Sequence, residues 1–131
     1  MPHNLRESPV HLGLGATATV QPTFTGDMAW YEAYGARNEV DGVEGRLVTI
    51  HSFSESWTSW EMHPLGSEMV LCVEEQITLI QEMADGTLNR MTLNAGEYAI
   101  NPPGVWHTAD VEGMATALFI TAGAGTEHRA R

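Results

Sequence analysis

From Arg46 onward, apolar and polar residues alternate in short runs separated by turn residues. The runs Arg46–Phe53, Trp57–His63, Met69–Glu74, Gln76–Glu82, Leu88–Leu93, Glu97–Ile100, Val105–Val111 and Thr116–Thr121 are short and β-prone, which predicts strands. Asp85-Gly86 between two of them predicts a hairpin turn. The N-terminal third is less regular. Residues 1–15 are polar, glycine-bearing and weakly patterned, and read as a mobile lead. Ala16–Phe24 alternates well enough for an edge strand, interrupted by Pro22. Met28–Tyr34 (MAWYEAY) fits either a helical turn or a strand. Arg37–Glu44 is polar, with Asp41-Gly42 as a turn signal. Many short strands and no convincing long helix predict an all-β sandwich or jelly roll, one domain over residues 16–131.

Two segments stand out against this background. The first is Gly96-x5-Pro102-x-Gly104-x2-His107: a turn glycine, an extended run, a Pro-Pro-Gly turn and a histidine on the next strand. The rigid turn fixes where the imidazole emerges. The second is Trp60-Glu61-Met62-His63-Pro64-Leu65-Gly66-Ser67-Glu68, upstream of it. Side chains two apart on a strand share a face, so Glu61 and His63 point the same way, preceded there by Ser59 and Trp57. The His63–Glu68 segment turns the chain, so Glu68 can face back toward His63.

These segments resemble the two conserved motifs of the cupin superfamily, in order and at the right separation. The first resembles H-x-H-x(3,4)-E, with Glu61 where the first histidine usually stands. Together they cover residues 57–111, and the whole chain is similar to small single-domain cupins of undefined activity. The resemblance sharpens the fold to a double-stranded β-helix, a jelly-roll barrel. It also implies that His63, Glu68 and His107 occupy metal-ligand positions. One departure concerns the backbone. Cupins usually carry a turn glycine about seven residues after the motif glutamate; here that place falls on Glu75, which predicts a turn that is reshaped or strained by about 1 kcal/mol.

Two imidazoles and one carboxylate suit one divalent transition metal (Fe, Mn, Ni or Zn) and leave coordination positions open. Glu61 has two readings. As a ligand it would complete a charge-neutral set of two His and two Glu; as a non-ligand it would serve as a catalytic general base. The altered first ligand also admits a metal-free polar network, although four buried ionisable groups are costly unless paired or metallated. Trp57 and Cys72 are expected to line the pocket, Cys72 because it shares the face of Glu68 and Val70. Trp60 and Trp106 should face away. His51 reads as a core or rim histidine, His3 and His11 as surface, and His128 as a tail contact.

Composition narrows the function. With 17 acidic residues, six basic ones and a net charge of −11, the chain is a poor partner for nucleic acid. The absence of lysine removes Schiff-base chemistry. One cysteine, no apolar leader and no long apolar run predict a cytoplasmic protein without a membrane segment. The functional expectation is a metal-dependent enzyme on a small organic acid or aromatic metabolite, dioxygenase-like first and isomerase- or decarboxylase-like second. The alternative is a non-catalytic barrel that binds or senses a small ligand. Outward apolar residues and the N-terminal edge strand suggest a homodimer.

Overall fold

The computed structural model describes residues 1–131. Its strands are β1 (Val10–Gly13), β2 (Thr17–Val20), β3 (Arg46–Phe53), β4 (Ser59–Met62), β5 (Glu68–Glu82), β6 (Leu88–Asn94), β7 (Tyr98–Asn101), β8 (His107–Asp110), β9 (Ala115–Thr121) and β10 (Glu127–Ala130). One helix, α1 (Met28–Arg37), and a 3-10 segment at Glu39–Glu44 lie between β2 and β3. No helix is long and apolar enough to cross a membrane.

All pairings are antiparallel, and β5 belongs to both halves of the sandwich. Its first half lies between β7 and β9, continuing through β3 and β1 to the edge strand β2. Its second half lies between β6 and β8, continuing through β4 to β10. The chain crosses from one half to the other through a register shift between Cys72 and Glu74. Two strands predicted over Met69–Glu82 are thus one strand with a bulge. The extra residue changes the inward set from Glu68, Val70 and Cys72 to Ile77, Leu79 and Gln81. Glu75, just past the register shift, adopts φ +62, the left-handed region. The strained alternative expected at this position is the one the backbone adopts.

Between the halves, Val70, Ile77, Leu79, Leu93, Ala109, Ala117 and Phe119 belong to the apolar core. This core fills one end of the barrel and leaves the other for polar side chains. Cys72 belongs to the core and not to a pocket wall. It does share the face of Glu68, but it lies four residues farther along the strand, inside the packed end, with its Sγ 3.5 Å from the Glu74 and Glu75 carbonyls.

The N-terminal third departs from expectation. Residues 10–13, placed in a mobile lead, form β1 between β2 and β3. What holds them is His11, which is buried. Its Nε2 is 2.6 Å from Asp41 Oδ2, which can only accept, so Nδ1 is left to accept the Tyr34 hydroxyl, also at 2.6 Å. Burial pushes the Tyr34 phenol up to about 12, so it remains a donor. Met28–Tyr34 resolves as helix because Asp27 caps it, its Oδ1 accepting the Trp30 N–H at 2.9 Å. Trp30 and Tyr34, one turn apart, stack with ring centroids 5.7 Å apart, and Trp30 is the buried anchor of the helix.

The tail, read only as a contact segment, is strand β10, paired to the edge of β4. Arg129 fastens it. Its guanidinium lies 5.1 Å from the Trp60 ring and 4.7 Å from the Trp106 ring, and it pairs with Glu82. Trp60 and Trp106 therefore face away from the barrel interior, as alternation predicts.

Candidate metal centre

The open end of the barrel gathers strand termini. Glu61 comes from the end of β4 and is paired in register with His107 at the start of β8. His63 follows β4, and Glu68 opens β5. The loop glycine Gly104 ties the two motif turns together, its N–H donating to the His63 carbonyl at 2.9 Å. Gly104 adopts φ +77, a conformation that costs glycine little.

One potential ligand atom from each of Glu61, His63, Glu68 and His107 can be chosen so that all four lie within 4.8 Å of one another. His63 Nε2 is 3.2 Å from Glu68 Oε2, and His107 Nε2 is 3.2 Å from Glu68 Oε1. Glu61 Oε2 stands 3.7 Å from His107 Nε2. His63, Glu68 and His107 are buried, and Glu61 is partly open to the cavity.

Hydrogen bonds on the far side of each ring fix its tautomer. The Thr126 hydroxyl donates to the Gly123 carbonyl at 2.8 Å, so at 2.7 Å it accepts from His63 Nδ1–H. His107 Nδ1 faces the Val105 carbonyl at 3.3 Å, which can only accept. In the neutral rings both Nε2 atoms therefore carry lone pairs, and both point at a carboxylate that also has only lone pairs. Neither Nε2 has a hydrogen-bond partner, although both are buried. Acceptors turned on acceptors are stabilised by a cation between them, either a proton or a metal ion. The donor set of two imidazoles and one or two carboxylates fits a divalent first-row ion.

In the protein without metal, protons take that role. Burial works against charge on His107, but hydrogen bonds accepted from its protonated ring by Glu61 and Glu68, and their negative charge, outweigh it and raise its pKa to about 9. Glu68 is held far below the usual carboxylate range: burial opposes ionisation, and the bonds and charge of His107 and His63 overcome it. Glu61 is lowered by the same balance, with His107 as the main favourable partner.

A second layer holds Glu68. Gln81 Nε2 donates to Asn101 Oδ1 at 2.8 Å, which turns Asn101 Nδ2 toward Glu68 Oε1 at 3.1 Å. The Thr121 hydroxyl donates to Glu68 Oε2 at 2.6 Å. Sequence reasoning missed Gln81, Asn101, Thr121 and Thr126. The available signal was a polar residue at an inward position, Asn101 two after the buried Ala99 and Gln81 two after the buried Leu79.

The cluster opens into a cavity of about 1350 Å³ whose wall includes Glu61, His63 and Glu68. Phe24, Tyr31, Phe53, Trp57 and Phe119 give it an aromatic side. Trp57 lies in the wall with its ring centroid 6.3 Å from that of His107. His51 also lies in the wall, with its ring among Phe24, Phe53 and Phe119, and burial lowers its pKa. His128 is brought in by β10, opposite Glu61 in register, and its Nε2 is 3.2 Å from Glu61 Oε1. Its contact is thus within the chain. His11, read as a surface residue, is buried beside the helix, as described above.

No protein-family model matches the chain, and no curated protein matches its sequence. Its fold has clear counterparts among solved structures. A cupin-2 domain containing protein from Shewanella frigidimarina is 18% identical, with a TM-score of 0.50 over 58% of this chain and 69% of that one. A recombinant oxalate oxidase in complex with glycolate is 15% identical, with a TM-score of 0.55 over 63% of this chain and 45% of that one. The enzyme Fe(II)-HppE is 12% identical, with a TM-score of 0.50 over 58% and 42%. The match spans less than half the length of the last two chains. These likenesses show the fold: the chain folds as the cupin-2 domain protein does.

Proposed function

We propose that this chain is a metal-dependent enzyme acting on a small molecule with an aromatic or other flat body, dioxygenase-like first and isomerase-like second. The observation that carries the reading is the pair of buried, unpartnered Nε2 atoms on either side of Glu68. His63, His107 and Glu68 would hold one divalent ion, with Glu61 as a fourth ligand or as a base beside it. A bound ion would supply Lewis acidity at the substrate oxygens and, if redox-active, a route to oxygen chemistry. Oxygen chemistry is placed first because similar folds include an oxalate oxidase and an enzyme bound to Fe(II).

The residues of the chain supply the rest. Thr126 and the Val105 carbonyl hold the two imidazoles in the tautomer that offers Nε2. Asn101 and Thr121 fix the Glu68 carboxylate. Glu61, held between His107 and His128, is the one carboxylate of the cluster with appreciable access to the cavity, and so the one placed to take a proton from a substrate. The aromatic side chains of the wall offer flat apolar surface, which supports the aromatic member of the two expected substrate classes.

The test is metal content of untagged protein, wild type beside His107→Ala. About one equivalent of Fe, Mn, Ni or Zn per chain, lost in the variant, supports the reading. No metal in either protein after reconstitution contradicts it and leaves a ligand-binding barrel as the better account.

The expected homodimer also gains support, from the outer face of the larger sheet half. Apolar side chains there form two rows in register. Ile100, Met69, Ile120, Val48, Val10 and Val20 run across six strands, and Tyr98, Leu71, Leu118 and Ile50 run across four. None of these is buried. The rows carry no charge, so a second copy of this acidic chain can meet them without carboxylates being forced together. A homodimer through this face is therefore proposed.

A further inference from the structure

The cavity carries a charge pattern that bears on what it accepts. Asp27, Glu32, Glu39 and Glu55 stand in its wall in addition to Glu61 and Glu68, and no arginine is among the lining residues. The chain has no lysine. Three guanidinium groups outside the lining are held by hydrogen bonds: Arg6 donates to Ser52 Oγ at 2.9 Å, Arg37 to Gln21 Oε1 at 3.2 Å, and Arg131 to the Trp57 carbonyl at 3.0 Å. Of the cavity imidazoles outside the ligand set, His11 lies between Asp41 and Tyr34, His51 has its charged form disfavoured by burial, and His128 is paired with Glu61 at 3.2 Å.

The cluster does not supply the missing positive charge. A divalent ion with Glu61 and Glu68 sums to zero. Without metal, even two imidazolium rings against the same two carboxylates would sum only to zero. An incoming carboxylate meets a wall that repels it and a centre without net positive charge, so only direct ligation of a bound ion could offset the repulsion. An incoming cation meets the opposite, and Phe24, Tyr31, Phe53, Trp57 and Phe119 add ring faces that attract cations as well as apolar surface.

We infer that the cavity takes an organic cation, an amine or ammonium group carried on an aromatic or other flat apolar body, and turns small carboxylic acids away. The inference rests on reading this cavity as the substrate site. It deepens that reading by choosing the ligand's charge.

Three probes of one shape test it: benzyltrimethylammonium, benzyl alcohol and benzoate. Binding is measured by calorimetry on metal-loaded and metal-free protein, at low and high salt. The quaternary cation neither titrates nor coordinates, so its binding reports the wall alone. In the metal-free protein, where benzoate has no ion to ligate, the cation should bind about tenfold more tightly than benzoate, with benzyl alcohol between. The gap should shrink at high salt, because screening acts on the exposed rim carboxylates. It should also shrink in the triple variant Glu32→Gln, Glu39→Gln, Glu55→Gln, whose three sites are exposed and carry no packing. Benzoate binding the metal-free protein as tightly as the cation, no binding by any probe, or a gap unmoved by the triple variant would each overturn the inference. Failure of the metal reading is seen separately, as absence of metal, and the charge preference of the metal-free protein would survive it.

Discussion

Metal binding at this site should release a proton, and the size of the effect follows from His107. Its ordinary value of 6.5 is raised to about 9 in the metal-free protein, because the imidazolium lies 3.2 Å from Glu68 and 3.7 Å from Glu61. A metal ion needs the same Nε2 lone pair, so it must displace that proton. With a pKa of about 9, the fraction of sites ready for metal rises about twentyfold between pH 7 and pH 8.5; an ordinary histidine would contribute less than about twofold over that range. The corresponding stability has a definite sign. The metal-free fold is fully supported by this proton below pH 6.5, and that support is lost as pH rises through about 9. Calorimetric titration with Mn(II), run at several pH values in buffers of different ionisation heat, measures both quantities. The expected result is close to one proton released per ion at pH 7.5 and an affinity that climbs steeply toward pH 8.5. An affinity flat over that range, with no proton released, would refute the assignment of the proton to His107.

Replacing Glu75 by glycine should stabilise the fold, because an L-residue at φ +62 costs about 1–2 kcal/mol and glycine's extra unfolded freedom takes back part of it. Glu74→Gly removes the same charge from a neighbour without positive φ, so urea unfolding should separate the two variants by about 1–2 kcal/mol; equal stabilities would remove the strain argument. Thr126→Val deletes the acceptor of His63 Nδ1–H and should weaken metal binding about 10- to 100-fold, while Thr126→Ser should restore it; unchanged affinity in the valine variant would mean the tautomer is set otherwise. Leu118→Glu places a carboxylate in the centre of the apolar outer rows and should convert a dimer to a monomer by light scattering; a persistent dimer would place the interface on another face.

The sequence was most legible where local chemistry and long-range structure agree. Arg46–Phe53 was read with its observed ends because every second residue packs inward and turn residues flank it. The two motif segments brought Glu61, His63, Glu68 and His107 together because rigid turns fix where each side chain emerges. Glu75 was legible as a strained position because a glycine was expected there. What stayed hidden depended on partners far away in the chain. Val10–Gly13 looked like a loose lead because its anchor is a buried histidine whose bond partners lie 23 and 30 residues downstream. β10 is short, polar and largely exposed, and its place is set by Arg129 between two indoles. Cys72 was misplaced because alternation gives the face of a residue but not its depth along the barrel.

The central claim is that His63, His107 and Glu68 bind one ion through lone pairs already turned toward each other. Crystals grown with Zn(II), with anomalous data collected on both sides of the zinc edge, test it most directly. The account predicts one peak per chain, about 2.1 Å from Nε2 of both His63 and His107, with Glu68 as a further ligand. No peak at this cluster, or ligation through either Nδ1, would contradict it.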